Sequence, residues 1–267
     1  MKHIFQIMFL LMAFSLFSCQ QPTKSEEQQT ELIKAQSINN KLHFTTEKQE
    51  KSYVNEELEG DNNTSFISFT YPHFTTGGNK AIRDTLNTFI TNHLSMSESY
   101  NRATPEESME AFIQSYKDAY VKTKLSAPYQ AATHIEVINN DEAMLSLEFN
   151  YYEFTGGVHG IQYVIYRNFD PATGTIITLE ELIPAHNREL LLQKAEQYFR
   201  DSRNLGNNDD LKSAGYWFDD SKFRLPNNFT FEKGNLVFLY NPYEIAPYSE
   251  GKIVFFIPEY ELQEILK

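Results

Sequence analysis

The sequence predicts an α+β fold in which an antiparallel sheet packs against helices. Apolar residues recur with period two in several consecutive segments between residues 133 and 170, and tight turns separate these segments. Apolar stripes at helical spacing occupy separate blocks before and after them, rather than repeated strand-helix-strand units. The chain also has 21 Phe and 16 Tyr, and each large ring buries about 150–250 Å², so an apolar core is well supplied.

The first part of the predicted domain covers residues 64–130. Residues 65–71 alternate polar and apolar side chains and form the first predicted strand, which ends at Pro72. A helix follows over residues 79–94. The second helix begins at Thr104-Pro105-Glu106-Glu107, where a hydroxyl N-cap, a proline at the first helical position and a glutamate three residues after the cap coincide.

The second part covers residues 131–267 and supplies most of the predicted sheet. Residues 134–139, 143–154 and 161–170 are expected to form consecutive antiparallel strands. A capping box at Thr178-Leu179-Glu180-Glu181 begins a short helix, and residues 188–202 form a longer one. The remaining predicted elements are a hairpin at 229–232 and 236–240, a strand at 252–257 and a terminal helix at 259–266.

The beginning of the chain predicts where the protein works. A basic Lys2 and a short apolar run precede Leu16-Phe17-Ser18-Cys19, which resembles the lipobox of bacterial lipoproteins. We therefore expect residues 1–18 to be a signal peptide and Cys19 to carry a lipid, although an ordinary secretory signal with a chance cysteine is the alternative. The polar residues 19–63 are expected to be a flexible tether. The predicted location is the cell envelope, on either the periplasmic face or the surface of the outer membrane.

Charge and cysteine content exclude several classes of function. The formal net charge is −13, which argues against nucleic-acid binding because phosphates need basic partners. An acidic envelope protein would attract cationic partners, and acidic charge for solubility is the alternative explanation. The chain has one cysteine, so a lipid on it leaves no thiol for a disulfide or a zinc-thiolate site. No cofactor is expected.

Two signatures carry a family resemblance. The first runs from Tyr151-Tyr152-Glu153-Phe154-Thr155-Gly156-Gly157-Val158-His159-Gly160 through Arg167-Asn168-Phe169-Asp170, and the second is Asn241-Pro242-Tyr243-Glu244-Ile245-Ala246-Pro247-Tyr248-Ser249-Glu250-Gly251. In this order they resemble the extracellular domain shared by RsiV-type anti-sigma-V factors and the non-catalytic region of PdaC-type peptidoglycan deacetylases. The resemblance covers about residues 60–267.

The resemblance implies an envelope-facing recognition module. In the anti-sigma factor this domain binds lysozyme, and in the deacetylase the chemistry belongs to a separate metal-dependent domain with Asp-Asp and His-x-x-x-His motifs. No two histidines of this chain are four residues apart, so deacetylase activity and a zinc site are not expected. Without the deacetylase chemistry, the resemblance implies that the domain binds a lysozyme-like protein or cell-wall peptidoglycan.

His159 and four carboxylates near the first signature are the candidates for chemistry. His159 follows two glycines in a turn, where it could contact a ligand or bond a neighbouring backbone carbonyl. Glu153, Asp170, Glu180 and Glu181 could do glycoside chemistry, but capping and turn positions explain most of them. We therefore predict no catalytic residues.

The residues predicted to bind a ligand are turn and loop positions of the two signatures, namely Tyr151, His159, Tyr243 and Tyr248. The predicted function is a membrane-anchored, non-catalytic binding module that recognises a lysozyme-like protein or a cell-wall glycan. Two alternatives stay open. One is a peptidoglycan hydrolase or an accessory protein of a deacetylase, and the other is a structural envelope lipoprotein.

Overall fold

The structure, a computed structural model, describes residues 41–60, 62–124 and 127–266. These residues form a five-stranded and a three-stranded sheet packed with helices, which confirms the predicted α+β class. The predicted signal peptide, Cys19 and the first half of the predicted tether lie outside the described residues. Within the described part, no helix is long and apolar enough to cross a membrane.

The larger sheet contains the first five strands in chain order. They are β1 (His43–Val54), β2 (Thr64–Thr76), β3 (Gln130–Asn140), β4 (Leu145–Phe154) and β5 (Ile161–Phe169). The predicted antiparallel pairing of β3, β4 and β5 is confirmed. Strand β2 pairs with β3 in parallel, which the sequence did not predict. This direction follows from the two helices that connect these strands, because parallel neighbours need a long crossover.

The prediction of a flexible tether through residue 63 is wrong over its last part. Strand β1 pairs with β2 along its whole length, from His43 to Val54. It is an edge strand whose side chains are mostly polar and exposed on both faces, so it lacks the apolar alternation by which a half-buried strand is recognised. Backbone hydrogen bonds to β2, together with the buried Leu42 just before the strand, hold it in the fold.

Helices α1 (Lys80–Thr91) and α2 (Pro105–Thr123) cover one face of the larger sheet. The side chain of Thr104 accepts a hydrogen bond from the Glu107 backbone N–H, as the sequence predicts. The apolar stripes of both helices meet alternate residues of β2, β3 and β4. The core they form includes Ile82, Leu86, Ile90, Met109, Phe112, Ile113, Ile67, Phe69, Ile135, Leu147 and Phe149.

The smaller sheet holds a second core against a single long helix. Its strands are β6 (Phe229–Glu232), β7 (Asn235–Tyr240) and β8 (Ile253–Pro258), all antiparallel, and the helices of this part are α3 (Leu179–Leu182) and α4 (Arg188–Ser202). Phe199 of α4 contacts several rings of this core, including Tyr240 and Phe255. The capping box at Thr178 is confirmed by bonds from its N–H and hydroxyl to the Glu181 carboxylate.

The predicted terminal helix at residues 259–266 is wrong. Only Glu259–Glu261 form a helical turn, of the 3-10 type. Leu262 and Ile265 are fully buried in the second core, and the backbone around them makes bonds of three- and four-residue span rather than a regular ladder. Burial of these two side chains dictates the backbone path here, because a segment this short has little helical stability of its own.

Three asparagine side chains join the two sheets along the free edge of β5. We call this set, Asn168, Asn228 and Asn241, the amide junction. The Asn241 amide accepts from the Val164 N–H at 2.7 Å and donates to the Val164 carbonyl at 2.9 Å. The Asn228 amide accepts from the Tyr166 N–H and donates to the same Val164 carbonyl, both at 2.7 Å. Asn168 of β5 donates to the Phe229 carbonyl at 2.8 Å. These amides satisfy backbone groups that an edge strand otherwise leaves open.

Leu42→Ala should destabilise the protein by about 2–4 kcal/mol, because it removes a fully buried side chain and leaves a cavity. Val54→Ala, at the other end of β1, is the control; its side chain is half exposed, and we expect a change of about 0.5 kcal/mol or less. Urea unfolding measures both. Equal stability of the Leu42 variant and the native protein would show that the fold does not need this segment.

Asn241→Ala should lower the free energy of unfolding by about 2–4 kcal/mol, since it strips the buried Val164 N–H of its partner. Asn227→Ala is the matched control, because Asn227 is an exposed asparagine beside the same junction. Thermal unfolding of the two variants gives the comparison. Similar stability of both would contradict a structural role for the amide junction.

Candidate functional site

An open groove of about 570 Å³ lies on the face of the larger sheet opposite helices α1 and α2. Side chains alternate across a strand, so the residues between the core positions of β2 to β5 point to this face. Register places Ala132, Tyr152 and Gln162 side by side, and His134 beside Asn150 in the next row. Ser68 and Thr70 of β2 extend the floor. The floor is therefore mostly polar and uncharged.

The groove does not extend over the whole face, because the smaller sheet covers part of it. Val164 and Tyr166 of β5 are buried against Leu239 of β7. The uncovered part is bounded by the loop between β7 and β8, from which Asn241, Pro242, Tyr248, Ser249, Gly251 and Lys252 line the groove. The second signature of the sequence thus forms the wall of the groove, and the strands of the first signature form part of its floor.

Hydrogen bonds hold the wall loop in place at several points. Asn241 fixes its beginning through the β5 backbone, and the Tyr163 hydroxyl donates to the Glu244 carboxylate at 2.9 Å. Burial, followed by the bond to Glu244, raises the pKa of Tyr163 to about 12, so its hydroxyl stays protonated and able to donate. Tyr243 adopts φ of 69°, a left-handed conformation that costs a non-glycine residue energy and needs such support.

Three of the four predicted binding residues come together beside the groove, and Tyr248 is the one of them that lines it. The His159 ring stacks on the Tyr248 ring with centroids 3.9 Å apart, and the Tyr243 ring lies 5.6 Å from that of Tyr248. The Tyr248 hydroxyl donates to the Gly160 carbonyl at 2.8 Å, which ties the wall to the turn before β5. His159 Nδ1 also lies 2.9 Å from that carbonyl, so the structural interpretation of this histidine fits the geometry.

The fourth residue, Tyr151, lies apart from the other three. Its ring is buried among the core residues under α1, and its hydroxyl donates to the His93 carbonyl at 2.7 Å. Burial raises the pKa of this hydroxyl. Tyr151 and its neighbour Tyr152 both border the groove, but the side chain that faces it is that of Tyr152, because successive side chains of β4 face opposite sides. The predicted binding residue Tyr151 thus lies in a strand of the groove floor, with its ring on the opposite face of the sheet.

The groove carries no carboxylate among its lining residues, although the chain as a whole is acidic. Its ionisable lining groups, besides tyrosines, are His134 and Lys252. His134 Nε2 lies 2.6 Å from the Glu136 carboxylate, and Asn150 donates to Glu148 at 2.6 Å. The nearest acidic side chains of the floor strands are therefore already engaged by floor residues.

The carboxylates that the sequence offered for chemistry do not converge. Glu153 shares the helix-covered face with Tyr151, and burial raises its pKa. Asp170 caps the turn after β5 by accepting from the Ala172 N–H. His159 and Asp170 lie at opposite ends of this nine-residue strand, roughly 30 Å apart at the usual rise per residue.

Two aspartates follow each other directly at two places in the chain, Asp209-Asp210 and Asp219-Asp220. Local turns explain the first of these pairs. Asp209 accepts from the Gly206 N–H and Asp210 from the Ser213 N–H, each at 2.7 Å. Over the described residues, no group of three or more His, Cys, Asp and Glu side chains is arranged to hold a metal ion.

Sequence reasoning missed most of the groove floor and Lys252. The sequence shows which residues of each strand are the polar members of the period-two pattern. Which of these polar residues lie side by side in the sheet depends on the register between strands that are distant in sequence. The parallel pairing of β2 with β3 brings Ser68 and Thr70 beside the floor residues of β3. No short-range pattern encodes that pairing.

Two family models match successive parts of the chain. Residues 58–162 match the family described as deacetylase PdaC, and residues 175–260 match DUF3298, a family of unknown function. No curated protein matches the chain significantly.

Two crystal structures share the fold. A DUF3298 family member from Bacteroides fragilis has a TM-score of 0.71 and 18% identity, with 86% of this chain and 95% of that chain covered. A DUF3298 family protein from Pseudomonas aeruginosa has a TM-score of 0.60 and 18% identity, with 84% and 95% covered. The chain therefore carries a PdaC-type segment followed by a DUF3298 segment, and the family expected from its two signatures is confirmed.

Proposed function

We propose that the protein is a lipid-anchored binding module of the cell envelope whose groove holds a cell-wall glycan without turning it over. The observation that carries this proposal is the composition of the groove. Uncharged hydrogen-bonding side chains form its floor, aromatic side chains stand at its end, and no carboxylate lines it. A glycan presents hydroxyl and acetamido groups along its edges and apolar C–H surfaces on its faces, and this lining matches both.

The floor and the wall suit two different parts of a sugar. Asn150 and Gln162 each offer an amide donor and acceptor, and Ser68 and Thr70 add hydroxyls. Tyr152 and the half-buried Tyr248 give aromatic surface with a polar tip, which is suited to a ring that is apolar on its face and wet at its edge. Because the wall is hydrogen-bonded to the sheet, little side-chain entropy is lost on binding.

Binding without turnover follows from the chemistry of the lining. Most glycoside hydrolases use two carboxylates flanking the scissile bond, about 5–9.5 Å apart. The groove lining offers none, and the carboxylates of the first signature lie on the opposite face or beyond the far end of β5. The name of the matched family, deacetylase PdaC, supports an accessory role beside such an enzyme as the alternative within the same setting.

Capture of a cationic lysozyme-like protein is the second candidate, and the net charge of −13 favours it. The acidic side chains that would attract such a partner lie outside the groove lining. A cationic partner would therefore bind elsewhere on the surface, and the groove would stay unexplained. For this reason glycan binding ranks first, and a purely structural lipoprotein ranks after both candidates.

Gln162→Ala should weaken glycan binding about fivefold, since one hydrogen bond is worth about 1 kcal/mol, and Tyr248→Ala about tenfold through loss of a stacking surface. Tyr260→Ala is the matched control, because Tyr260 is a largely exposed tyrosine that does not line the groove. Calorimetric titration of the purified protein with N-acetylglucosamine oligomers and with peptidoglycan fragments gives the affinities.

The same titration includes a cationic lysozyme at low and at physiological salt. Binding of lysozyme that persists at physiological salt, with no binding of any glycan, would replace the proposed function by the second candidate. Binding of neither partner would leave a structural lipoprotein. Glycan affinity that is equal in the groove variants and the Tyr260 control would move the binding site away from the groove.

Cys19→Ala should release the protein from the membrane fraction, because the proposed anchor is a lipid on this cysteine. Metabolic labelling with a palmitate analogue, followed by fractionation of cells expressing each form, measures the change. Lys2→Gln provides a control that alters the leader without touching the cysteine. Unchanged membrane association of the Cys19 variant, or no label on the native protein, would contradict the anchor. Protease treatment of intact cells then distinguishes the periplasmic face from the surface.

A further inference from the structure

Lys252 is a cation on the wall of the groove, and within the part of the chain that the structure describes it forms no ion pair. It precedes β8, whose first residue Ile253 is buried, and its own side chain is exposed and lines the groove. Five lysines of the described residues form ion pairs with carboxylates and seven do not, and Lys252 is the one of those seven that lines the groove. In a chain with 36 acidic residues, an unpaired lysine at a binding groove points to the ligand as its partner.

The carboxylates closest to Lys252 along the wall are held by other residues. Glu250 forms an ion pair with Arg203 at 3.3 Å, and Glu244 accepts the Tyr163 hydroxyl. On the floor, Glu136 is engaged with His134. Each of these carboxylates thus has a hydrogen-bonding or charged partner other than Lys252.

Neutral side chains surround this charge on the floor. Asn150, Gln162, Ser68 and Thr70 bring no charge of their own, so nothing in the lining cancels the field of Lys252. Strand β1 places Lys48 and Glu50 opposite Thr70 and Ser68, and these two charges offset each other at the edge. The lining itself therefore presents one lysine and no carboxylate to a bound ligand, which favours an anionic group beside Lys252.

We infer that the groove selects glycans that carry a carboxylate on the sugar, and that Lys252 is the residue that binds this carboxylate. This inference rests on the proposed glycan-binding function and narrows it to one class of ligand. The polar floor and the aromatic end hold the sugar backbone, as they would for a neutral glycan. Lys252 adds a charge-assisted hydrogen bond that only the acidic sugar can accept.

The test compares two oligosaccharides of equal length by calorimetric titration of the full protein. One alternates N-acetylglucosamine with N-acetylmuramic acid, which has a lactyl carboxylate, and the other is the same oligomer with its carboxylates converted to amides. The native protein should bind the acidic oligomer about fivefold more tightly, and the preference should shrink as salt rises. Lys252→Gln should abolish the preference, and Lys252→Arg should retain it.

Lys222→Gln is the matched control, because it removes the same charge from an exposed lysine outside the groove lining. Loss of preference in the Lys252→Gln variant alone would support the inference. Equal binding of both oligomers by the native protein, or a preference that survives Lys252→Gln, would overturn it and leave glycan binding itself intact. Binding of neither oligomer would overturn the proposed function together with the inference. Thermal unfolding confirms that each variant is folded.

Discussion

The structure depends on the amide junction along the free edge of β5. A strand at the edge of a sheet presents unpaired N–H and C=O groups, and burying them without partners would cost about 1–3 kcal/mol each. Here Asn241 and Asn228 pair with the Val164 and Tyr166 backbone as another strand would, but each does so with a single side chain. The second sheet can therefore pack beside the first without continuing its ladder.

This junction also creates the groove. Because the smaller sheet covers only the part of the face around Val164 and Tyr166, the neighbouring rows of β2 to β5 stay open. Asn241 is the first wall residue as well as a member of the junction, so the loop that follows it starts from a fixed point. The bond from Tyr248 to the Gly160 carbonyl closes the loop back on the floor. Fold stability and site geometry thus share the same hydrogen bonds.

Charge is distributed unevenly over the molecule, and this unevenness decides between classes of partner. Net charge alone favours a cationic protein, since the chain carries 36 acidic and 23 basic residues. The groove lining itself has a histidine and a lysine but no carboxylate. The net charge of the chain and the lining of the groove therefore favour different ligands. The site carries more weight, since specific recognition depends on contacts within a Debye length, about 8 Å at physiological ionic strength.

The sequence by itself determined the elements whose signals are local. Thr104 and Thr178 mark helix starts through hydrogen bonds within one turn, and period-two alternation located β3, β4 and β5. Tertiary structure decided what depends on distant partners. Strand β1 is ordered by backbone pairing rather than by an apolar face, and burial of Leu262 and Ile265 replaced a terminal helix by turns.

The candidate site shows the same division between local and distant information. Both signatures contribute to the surroundings of the groove, and three of the four chosen side chains lie close together there. Register between the strands decides which face Tyr151 and Tyr152 point to. Register and the amide junction together decide the neighbours of Ser68, Gln162 and Lys252. A one-residue change in register reverses every side chain of a strand, so short-range patterns mark the strand while only the assembled sheet selects its face.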